Sequence, residues 1–555
     1  MAARARFVAA LRVVLANPNL RRLQLAWLGA VGADFAYSVA ISVYAHDAGG
    51  ARAVGLVWLL RTVPSAVAAP FVALLGDRYS GAKVMLVGNV VLAALAGATA
   101  LAVAVDAAVA AVYALSIVVA VVTTVFWPAQ AALLPSLAGS PAELTTANTA
   151  SITLEGLGSF VGPALCGVLL AATSVETAFA VTAAVFLAAA FPSARIRSVA
   201  ATRTAHAHGL HPRGVFGAFT AIARHPALRT LVGYYGAWAL AQGALNVLTV
   251  VLALDVLHIG DGGVGLLTAA VGVGGLFGAV GSLALSGSTR LTPYLAAGSL
   301  AFGAPLCLLA LRPDTALTVL LLSALGVGNL VVDVATLTLL QRTAPDEVLT
   351  RVFGVVEGLW VAAFGIGAIL VPTLISHLGT RAVLAITGTI LPVFAFAAWR
   401  RLRAIDTAAP PAELLDLVRS VPFLASLSAP TLERTAGRFE LVRVGVGDDV
   451  FRQGDPGDRF YIVGEGRATL SIDGRPVSTL GPGDFFGEIA ILRPTTRTAT
   501  VSAASKLELF ALDRASFLSA VAGSAERVSA EAVVEERLSR ARPGRAHALI
   551  WSGPR

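Results

Sequence analysis

A glycine, a glutamate and an arginine stand close together within residues 486–501, in a pattern suited to binding a phosphorylated ligand. Arg497 offers a planar fork that can hold a phosphate through two hydrogen bonds. Gly487 lets the backbone approach that phosphate closely, and the amides of Ile489 and Ala490, at the start of a short predicted helix, can face the anion. Glu488 is an acceptor suited to a ribose hydroxyl. These residues predict a site for a ligand that carries a phosphate and a ribose.

The same residues belong to two short motifs, FGEIA at 486–490 and RTATV at 497–501. The pair closely resembles the phosphate-binding cassette of cyclic nucleotide-binding domains, and residues 451–466 resemble the early strands of that family. The resemblance covers about residues 412–540 and implies that cAMP or cGMP is the ligand.

Two questions about this site stay open from the sequence. Thr498 follows the arginine and is compatible with cGMP through the guanine amino group, but in the family threonine also occurs in cAMP binders. The site could also belong to a domain that has lost its ligand, with Glu488 and Arg497 pairing each other. We favour binding, because both key side chains are present and buried charges need partners.

Other ionisable residues interrupt long apolar segments in the first 400 residues. They are Asp34, Arg61, Glu155, Asp333 and Glu357. Such groups are costly inside a membrane and are candidates for proton or substrate coupling. A carboxylate in a low-dielectric environment can load and release a proton near neutral pH. The alternative is that each is satisfied structurally, by Arg61 or by water at a helix end.

The composition separates a membrane part from a soluble part. The chain has 555 residues, 56% hydrophobic and only 13% charged, with a mean hydropathy of +0.78. Of the 74 charged residues, 35 lie in residues 1–400 and 39 in residues 401–555. A soluble domain has about 25% charged residues. This composition excludes a mainly soluble protein, a collagen, a disordered chain and a disulfide scaffold.

The apolar segments predict twelve transmembrane helices in two sets of six. The first set lies near 23–46, 51–76, 84–105, 107–133, 145–171 and 174–191, and the second near 228–256, 263–286, 292–311, 315–340, 350–376 and 380–399. Residues 1–22 form an N-terminal segment, and residues 192–227 a linker between the sets. With both termini in the cytoplasm, nineteen basic residues near helix ends face inward and three face outward, as expected for membrane proteins.

The two sets of helices share a short sequence motif at equivalent places. LEGL at 154–157 in the fifth span matches VEGL at 356–359 in the eleventh, so Glu155 and Glu357 occupy equivalent places. Parallel six-helix repeats around a central cavity are typical of many secondary transporters. The two glutamates are therefore the first candidates for proton coupling.

Two further motifs resemble one transporter family. The stretch LGDRYSGAK at 75–83 looks like the cytoplasmic loop signature of the major facilitator superfamily, and Asp77, Arg78 and Lys83 match it. The resemblance implies that these residues hold one conformation of the transporter. Residues 158–167 in the fifth span are similar to the antiporter signature of the drug-exporting branches, although Cys166 replaces one glycine. Close helix packing also explains those glycines, so antiporter chemistry and packing both stay open.

The soluble part predicts a small α+β domain. Residues 401–411 form a linker, 412–440 show helical patterning, 441–513 alternate as short strands separated by turns, and 514–540 return to a helical pattern. Many short strands at this spacing favour a β-roll or jelly roll. Residues 541–555 form a tail.

These features predict a proton-coupled exporter, an antiporter for small-molecule efflux, that resides in the plasma membrane and is regulated by cAMP or cGMP. Its partners are the lipid bilayer, a cyclic mononucleotide, an unknown small-molecule substrate and protons. The alternative is a membrane-anchored cyclic nucleotide receptor without transport. We expect no enzyme, cofactor, metal site or nucleic-acid partner; His206, His208 and His211 are expected to be solvated in the linker.

Overall fold

A computed structural model describes most of the chain as two compact units. The described residues are 17–78, 80–124, 126–137, 141–196, 222–282, 290–344, 349–407, 411–425, 427, 429–493, 495–521 and 531–535. The first unit comprises Met1–Leu340 with Ala344–Leu402, and the second comprises Gln341–Thr343 with Arg403–Arg555. The described residues of the first unit form helices, and those of the second unit form both strands and helices.

The first unit is entirely helical in its described residues. Its helices are α1 (Pro18–Arg78), α2 (Gly81–Ala104), α3 (Val109–Thr123), α4 (Phe126–Leu137), α5 (Pro141–Ala172), α6 (Val175–Ala194), α7 (Pro226–Val251), α8 (Asp261–Ser282), α9 (Thr292–Leu311), α10 (Thr315–Thr343), α11 (Leu349–Leu378) and α12 (Thr380–Ala397). A π-helical turn, Leu252–Val256, extends α7. Within the described ranges, eleven helical segments are long and apolar enough to cross a membrane.

The first of those segments contains two predicted spans joined by a break. Helix α1 has 61 residues, about three times the length that a bilayer requires. Its backbone leaves the helical conformation at Gly49 and Gly50, and Gly50 has φ +62°, a left-handed value that favours glycine. The break falls between the predicted spans 23–46 and 51–76, so the paired glycines reverse the chain there without a loop.

The predicted span 107–133 corresponds to a single candidate membrane segment, Val109–Gln130, which contains α3 and the start of α4. One predicted boundary differs from the structure. Residues 401–407, expected to belong to a linker, lie in a further helix, α13 (Trp399–Thr407). This segment contains charged residues but no proline or glycine, the two residues that disfavour a helix most. Its high charge content was therefore not a sign of a linker.

The glycines of residues 158–167 pack directly against other helices. A Cβ atom at Gly158 would lie 2.9 Å from the Val31 side chain, and one at Gly162 would fall on the Gly32 carbonyl oxygen. At Gly167 a Cβ would lie 2.8 Å from the Gly262 carbonyl oxygen. These small residues let α5 approach α1 and α8 closely. The packing interpretation therefore holds for these glycines, while antiporter chemistry stays a prediction.

The second unit contains two four-stranded antiparallel sheets flanked by helices. Its elements are α14 (Ala412–Arg419), α15 (Ala429–Ala436), β1 (Glu440–Val444), β2 (Asp449–Phe451), β3 (Arg459–Glu465), β4 (Ala468–Ile472), β5 (Arg475–Leu480), β6 (Phe485–Phe486), α16 (Ile489–Leu492), β7 (Thr500–Ala503), β8 (Leu507–Asp513) and α17 (Arg514–Ala520). The strand orders are β1-β8-β3-β6 and β2-β7-β4-β5. Phe423, Phe460, Phe485 and Phe517 pack together where helices meet the first sheet. This is the predicted roll with flanking helices.

Replacing one glycine of α7 tests the close helix packing. A Cβ at Gly243 would fall on the carbonyl oxygen of Phe364 in α11, whereas a Cβ at Gly236 has no atom within 4 Å. We expect Gly243→Ala to destabilise the protein by about 1–3 kcal/mol, the usual cost of overpacking. Gly236→Ala, on the same helix, should be neutral or slightly stabilising, because alanine is the better helix former.

The apparent Tm of the full-length protein in detergent measures both effects. Equal Tm values for the two variants would contradict the close approach of α7 and α11.

Candidate functional site

The roll contains a cavity of about 190 Å³ that all six predicted ligand-binding residues line. The segment from β6 through α16 forms one wall, and residues 497–501 form another. The lining residues are Phe451, Leu470, Ile472, Leu480, Phe485, Phe486, Gly487, Glu488, Ile489, Ala490, Arg497, Thr498, Ala499 and Val501. The fold thus brings the two predicted motifs to a single cavity.

Gly487 occupies a position that no other residue adopts easily. Its φ is +92°, in the left-handed region. A Cβ there would lie 2.7 Å from Nη1 of Arg497 and 2.9 Å from the Arg459 carbonyl oxygen. The glycine therefore serves both the turn after β6 and the close approach of the arginine.

Arg497 is a buried cation with several partners. Only 2% of the residue is exposed. Its Nη1 donates to the Gly487 carbonyl at 3.1 Å, and its Nη2 donates to the Arg459 carbonyl at 2.8 Å and to Oδ1 of Asp458 at 3.2 Å. Burial lowers the pKa of the guanidinium, and the neighbouring Asp458 carboxylate opposes that shift. The group stays charged, because arginine titrates far above neutral pH.

Two aromatic rings lie against the guanidinium of Arg497, and a third ring stacks on one of them. The guanidinium carbon lies 4.1 Å from the centre of the Phe451 ring and 5.8 Å from that of Tyr461. The Tyr461 and Phe486 rings stack with their centres 5.2 Å apart. A cation held against aromatic faces is stabilised without a second carboxylate, so the ring wall fixes Arg497 beside the cavity.

The cavity offers three kinds of contact to one ligand. Arg497 supplies a cationic fork, and Glu488, which is 1% exposed, supplies a carboxylate. Leu470, Ile472 and Leu480 provide an apolar wall. The arrangement suits a ligand with an anionic group, a hydroxyl and a flat apolar ring.

Sequence reasoning missed several residues of this site. Phe451 was identified with the early strands, but nothing in its spacing indicated that its ring lies against Arg497. Asp458, the ionic partner of Arg497, stands 39 positions earlier in the chain. The sequence offered a Glu488–Arg497 pair only as the alternative to ligand binding, and it gave no sign that Asp458 and two backbone carbonyls bind the guanidinium.

In the helical unit, the structure places Arg61 beside Asp34. Arg61 is 4% exposed, and its Nη2 lies 4.0 Å from Oδ1 of Asp34 and 3.3 Å from Oγ of Ser38. The guanidinium carbon is 5.2 Å from the centre of the Tyr37 ring and 5.5 Å from that of Trp58. Two predicted coupling residues therefore form a loose pair between the two halves of α1.

The three remaining coupling candidates form a second group. Asp333 in α10 lies within electrostatic range of both Glu155 in α5 and Glu357 in α11. Tyr235 in α7 also lies within electrostatic range of Asp333 and Glu357. Asp333 therefore has one predicted coupling residue from each six-helix set within electrostatic range, Glu155 from the first and Glu357 from the second.

The loop signature is only partly described. Asp77 and Arg78 lie at the end of α1, so the signature begins within a helix, and their side chains lie outside the described part. Lys83 is exposed in the first turn of α2. Over the residues described, no group of three or more His, Cys, Asp or Glu side chains could hold a metal ion. His206, His208 and His211 fall in 197–221, outside those residues.

Comparison with known proteins finds relatives of the roll. It is 38% identical over 103 residues to a "cAMP-dependent protein kinase regulatory subunit" of Schizosaccharomyces pombe, covering 18% of this chain and 25% of the relative. It is 34% identical over 102 residues to the "cGMP-dependent protein kinase egl-4" of Caenorhabditis briggsae, covering 18% of this chain and 14% of the relative. The chain thus spans a quarter or less of these curated relatives.

A solved structure gives a similar partial match. The regulatory domain of Toxoplasma gondii PKA, crystallised with cAMP, is 27% identical and covers 23% of this chain and 49% of that one, with a TM-score of 0.20.

Family models match both units of the chain. Residues 441–524 match the cyclic nucleotide-binding domain. Residues 25–356, more than half of the chain, match the Major Facilitator Superfamily. The chain belongs to the Major Facilitator Superfamily and carries a cyclic nucleotide-binding domain after its transporter helices.

Proposed function

We propose that the protein is a proton-coupled exporter of small molecules whose transport is regulated by cAMP or cGMP. The observation that carries the proposal is the cavity in which buried Arg497 and Glu488 meet, within a chain of a transporter family. The roll supplies the nucleotide site, and the helices supply the transport path.

The cyclic phosphate binds at Arg497. Asp458, whose side chain is 73% exposed, already forms an ion pair with the same guanidinium. A phosphate is a stronger bidentate acceptor than one carboxylate oxygen, so it can take over this contact while Asp458 turns to water. Glu488 accepts from the ribose 2′-hydroxyl, and the amides of Ile489 and Ala490 face the phosphate.

The base is recognised on the open side of the cavity. Thr498 is exposed and lines the same cavity as the apolar residues Leu470 and Ile472. Its hydroxyl can bond the guanine amino group of cGMP, and the apolar wall accepts either purine. Both nucleotides therefore belong in any binding experiment.

Proton coupling uses the carboxylates inside the helices. Asp333 lies within electrostatic range of both Glu155 and Glu357, so a proton taken up by either glutamate alters the protonation of Asp333. Asp34 lies at the limit of ion-pair distance from Arg61, so protonation of Asp34 breaks few contacts. The loop residues Asp77, Arg78 and Lys83 hold one conformation of the transporter between cycles.

The protein resides in the plasma membrane with both termini in the cytoplasm. The support is the excess of basic residues on one side of the predicted helices, because basic loops are retained inside. This orientation exposes the roll to cytosolic cyclic nucleotides.

Replacing Arg497 tests the nucleotide site. We expect Arg497→Ala to weaken cAMP or cGMP binding by about 2–5 kcal/mol, since truncation removes a desolvated charge from its partner. Arg497→Lys should also bind more weakly, because lysine lacks the planar fork. Calorimetric titration of the full-length protein in detergent measures both.

Arg475→Ala, at an exposed position on β5, is the matched control and should bind as wild type. Wild-type affinity of Arg497→Ala, with an unchanged Tm, would refute the assignment.

Replacing the repeat-related glutamates tests proton coupling. In proteoliposomes loaded with a panel of fluorescent organic cations and anions, an imposed pH gradient should drive efflux by the wild type. Glu155→Gln and Glu357→Gln, singly and together, should remove the dependence of flux on the gradient, because a glutamine cannot carry the proton. Glu176→Gln, at the start of α6, should retain it.

Unchanged pH-dependent flux in all three glutamine variants would rule out coupling through these residues. If the wild type shows no flux under any gradient while the nucleotide still binds, the protein is a membrane-anchored receptor instead.

Regulation requires that the nucleotide prefer one conformation of the transporter. A lock on the conformation of this structure is available where His46 of α1 meets Asp255 of the π-helical turn, with Nε2 and Oδ1 3.1 Å apart. Cysteines at both places, joined by a short bifunctional maleimide with Cys166 and Cys307 replaced by alanine, hold the two helices together. By reciprocity, the lock should change nucleotide affinity by about 5- to 150-fold.

The same double-cysteine protein without the crosslinker is the control. Identical nucleotide affinities with and without the lock, together with flux indifferent to nucleotide, would show that the roll does not regulate transport.

A further inference from the structure

A second cavity lies in the helical unit, between the start of α7 and the end of α12. It has a volume of about 220 Å³. Its lining residues are Arg229, Thr230, Phe394, Ala397, Ala398 and Arg401. None of the predicted coupling or nucleotide residues belongs to it, so it has no part in the functions proposed above.

The walls of this cavity are held in place by specific contacts. The Phe394 ring of α12 meets the Tyr234 ring of α7 edge to face, with centroids 5.6 Å apart. On the arginine side, the Leu402 carbonyl accepts a hydrogen bond of 3.0 Å from the buried Thr292 hydroxyl. The first turn of α13, which carries Arg401, is therefore attached to the start of α9.

Two arginine side chains line this cavity. Arg229 and Arg401 are both exposed, and among the described residues no carboxylate lines the cavity. In the part of the chain that the structure describes, neither guanidinium has an ion pair with a carboxylate within 4 Å. Two like charges directed to one cavity repel each other, and an anion bound between them relieves that repulsion.

The surroundings of the cavity indicate which anion it takes. Phe394, Ala397 and Ala398 make its floor apolar. On the same helix, Val393 and Phe396 are 61% and 85% exposed, as side chains that face lipid are. The arginines stand at the predicted cytoplasmic end of the spans, where the leaflet holds anionic lipids. A free phosphate would gain nothing from the apolar surface, whereas an acyl chain would.

We propose that this cavity binds the phosphate of an anionic phospholipid between Arg229 and Arg401. Thr230 and the apolar floor lie below the headgroup, and the acyl chains run along the exposed face of α12. The lipid joins the first and last helices of the second six-helix set at their cytoplasmic ends. This site depends neither on nucleotide binding nor on proton coupling.

Lipid titration of the full-length protein in detergent tests the site. Dioctanoyl phosphatidylglycerol should raise the apparent Tm in a saturable manner, because a ligand of the folded state stabilises it. Arg229→Gln and Arg401→Gln should each weaken the apparent affinity by about tenfold, since each removes one charge-assisted hydrogen bond. Arg381→Gln, at an exposed position at the opposite end of α12, should respond as wild type.

A second variant removes the space and keeps both charges. Ala397→Trp, at an exposed position, should fill the cavity and weaken phosphatidylglycerol binding as strongly as the arginine variants do. Dioctanoyl phosphatidylcholine should give a much smaller rise in Tm, because the positive charge of its choline neutralises the negative charge of its phosphate.

The remaining outcomes overturn the proposal. An equal rise with phosphatidylcholine would mean that no anion is recognised. A rise with sodium phosphate that matches the rise with phosphatidylglycerol would assign the cavity to a free phosphate. Wild-type affinity in the arginine variants, or in Ala397→Trp, would place any lipid effect elsewhere.

Discussion

A charge withdrawn from water needs partners inside the protein, and two arginines of this chain meet that requirement in different ways. Arg497 in the roll has two backbone carbonyls, the carboxylate of Asp458 and the face of Phe451. Arg61 in the helices has one hydroxyl, a carboxylate at 4.0 Å and two aromatic faces. The first arginine is held in one geometry, while the second is held mainly by rings and remains loosely paired.

This difference matches what the proposed function requires of each region. A nucleotide site requires a fork that is already oriented, because preorganised groups lose less entropy on binding. A transport path requires groups whose pairing can change, since alternating access moves one set of helices against the other. Cation–π contacts tolerate small shifts of the cation over the ring better than a bidentate ion pair does. Arg61 can therefore keep its stabilisation while the distance to Asp34 changes.

The sequence predicted those parts of the structure that depend on local pattern. Charge-free runs located the membrane helices, and turn glycines located the strands of the roll, because both signals are repeated within one element. The motif residues Gly487, Glu488 and Arg497 were found for the same reason. Asp458 and Phe451 were not assigned to the site, since their place beside Arg497 depends on how distant strands align. The position of Asp333 near both Glu155 and Glu357 depends likewise on three helices packing together.

Glycine contacts between the two predicted six-helix sets bear on how the transporter can move. Where α5 meets α8, Gly167 faces Gly262 and Gly265, so backbone lies against backbone at this point, while the Leu276 side chain of α8 packs against Gly156 of α5. Side chains packed as knobs into holes would have to disengage for one helix to rotate against the other, and each disengaged knob would lose its dispersion contacts. A glycine surface lacks that barrier. At the Gly167 contact, α5 and α8 can therefore turn against each other without displacing a side chain, whereas the Leu276 side chain resists that motion at Gly156.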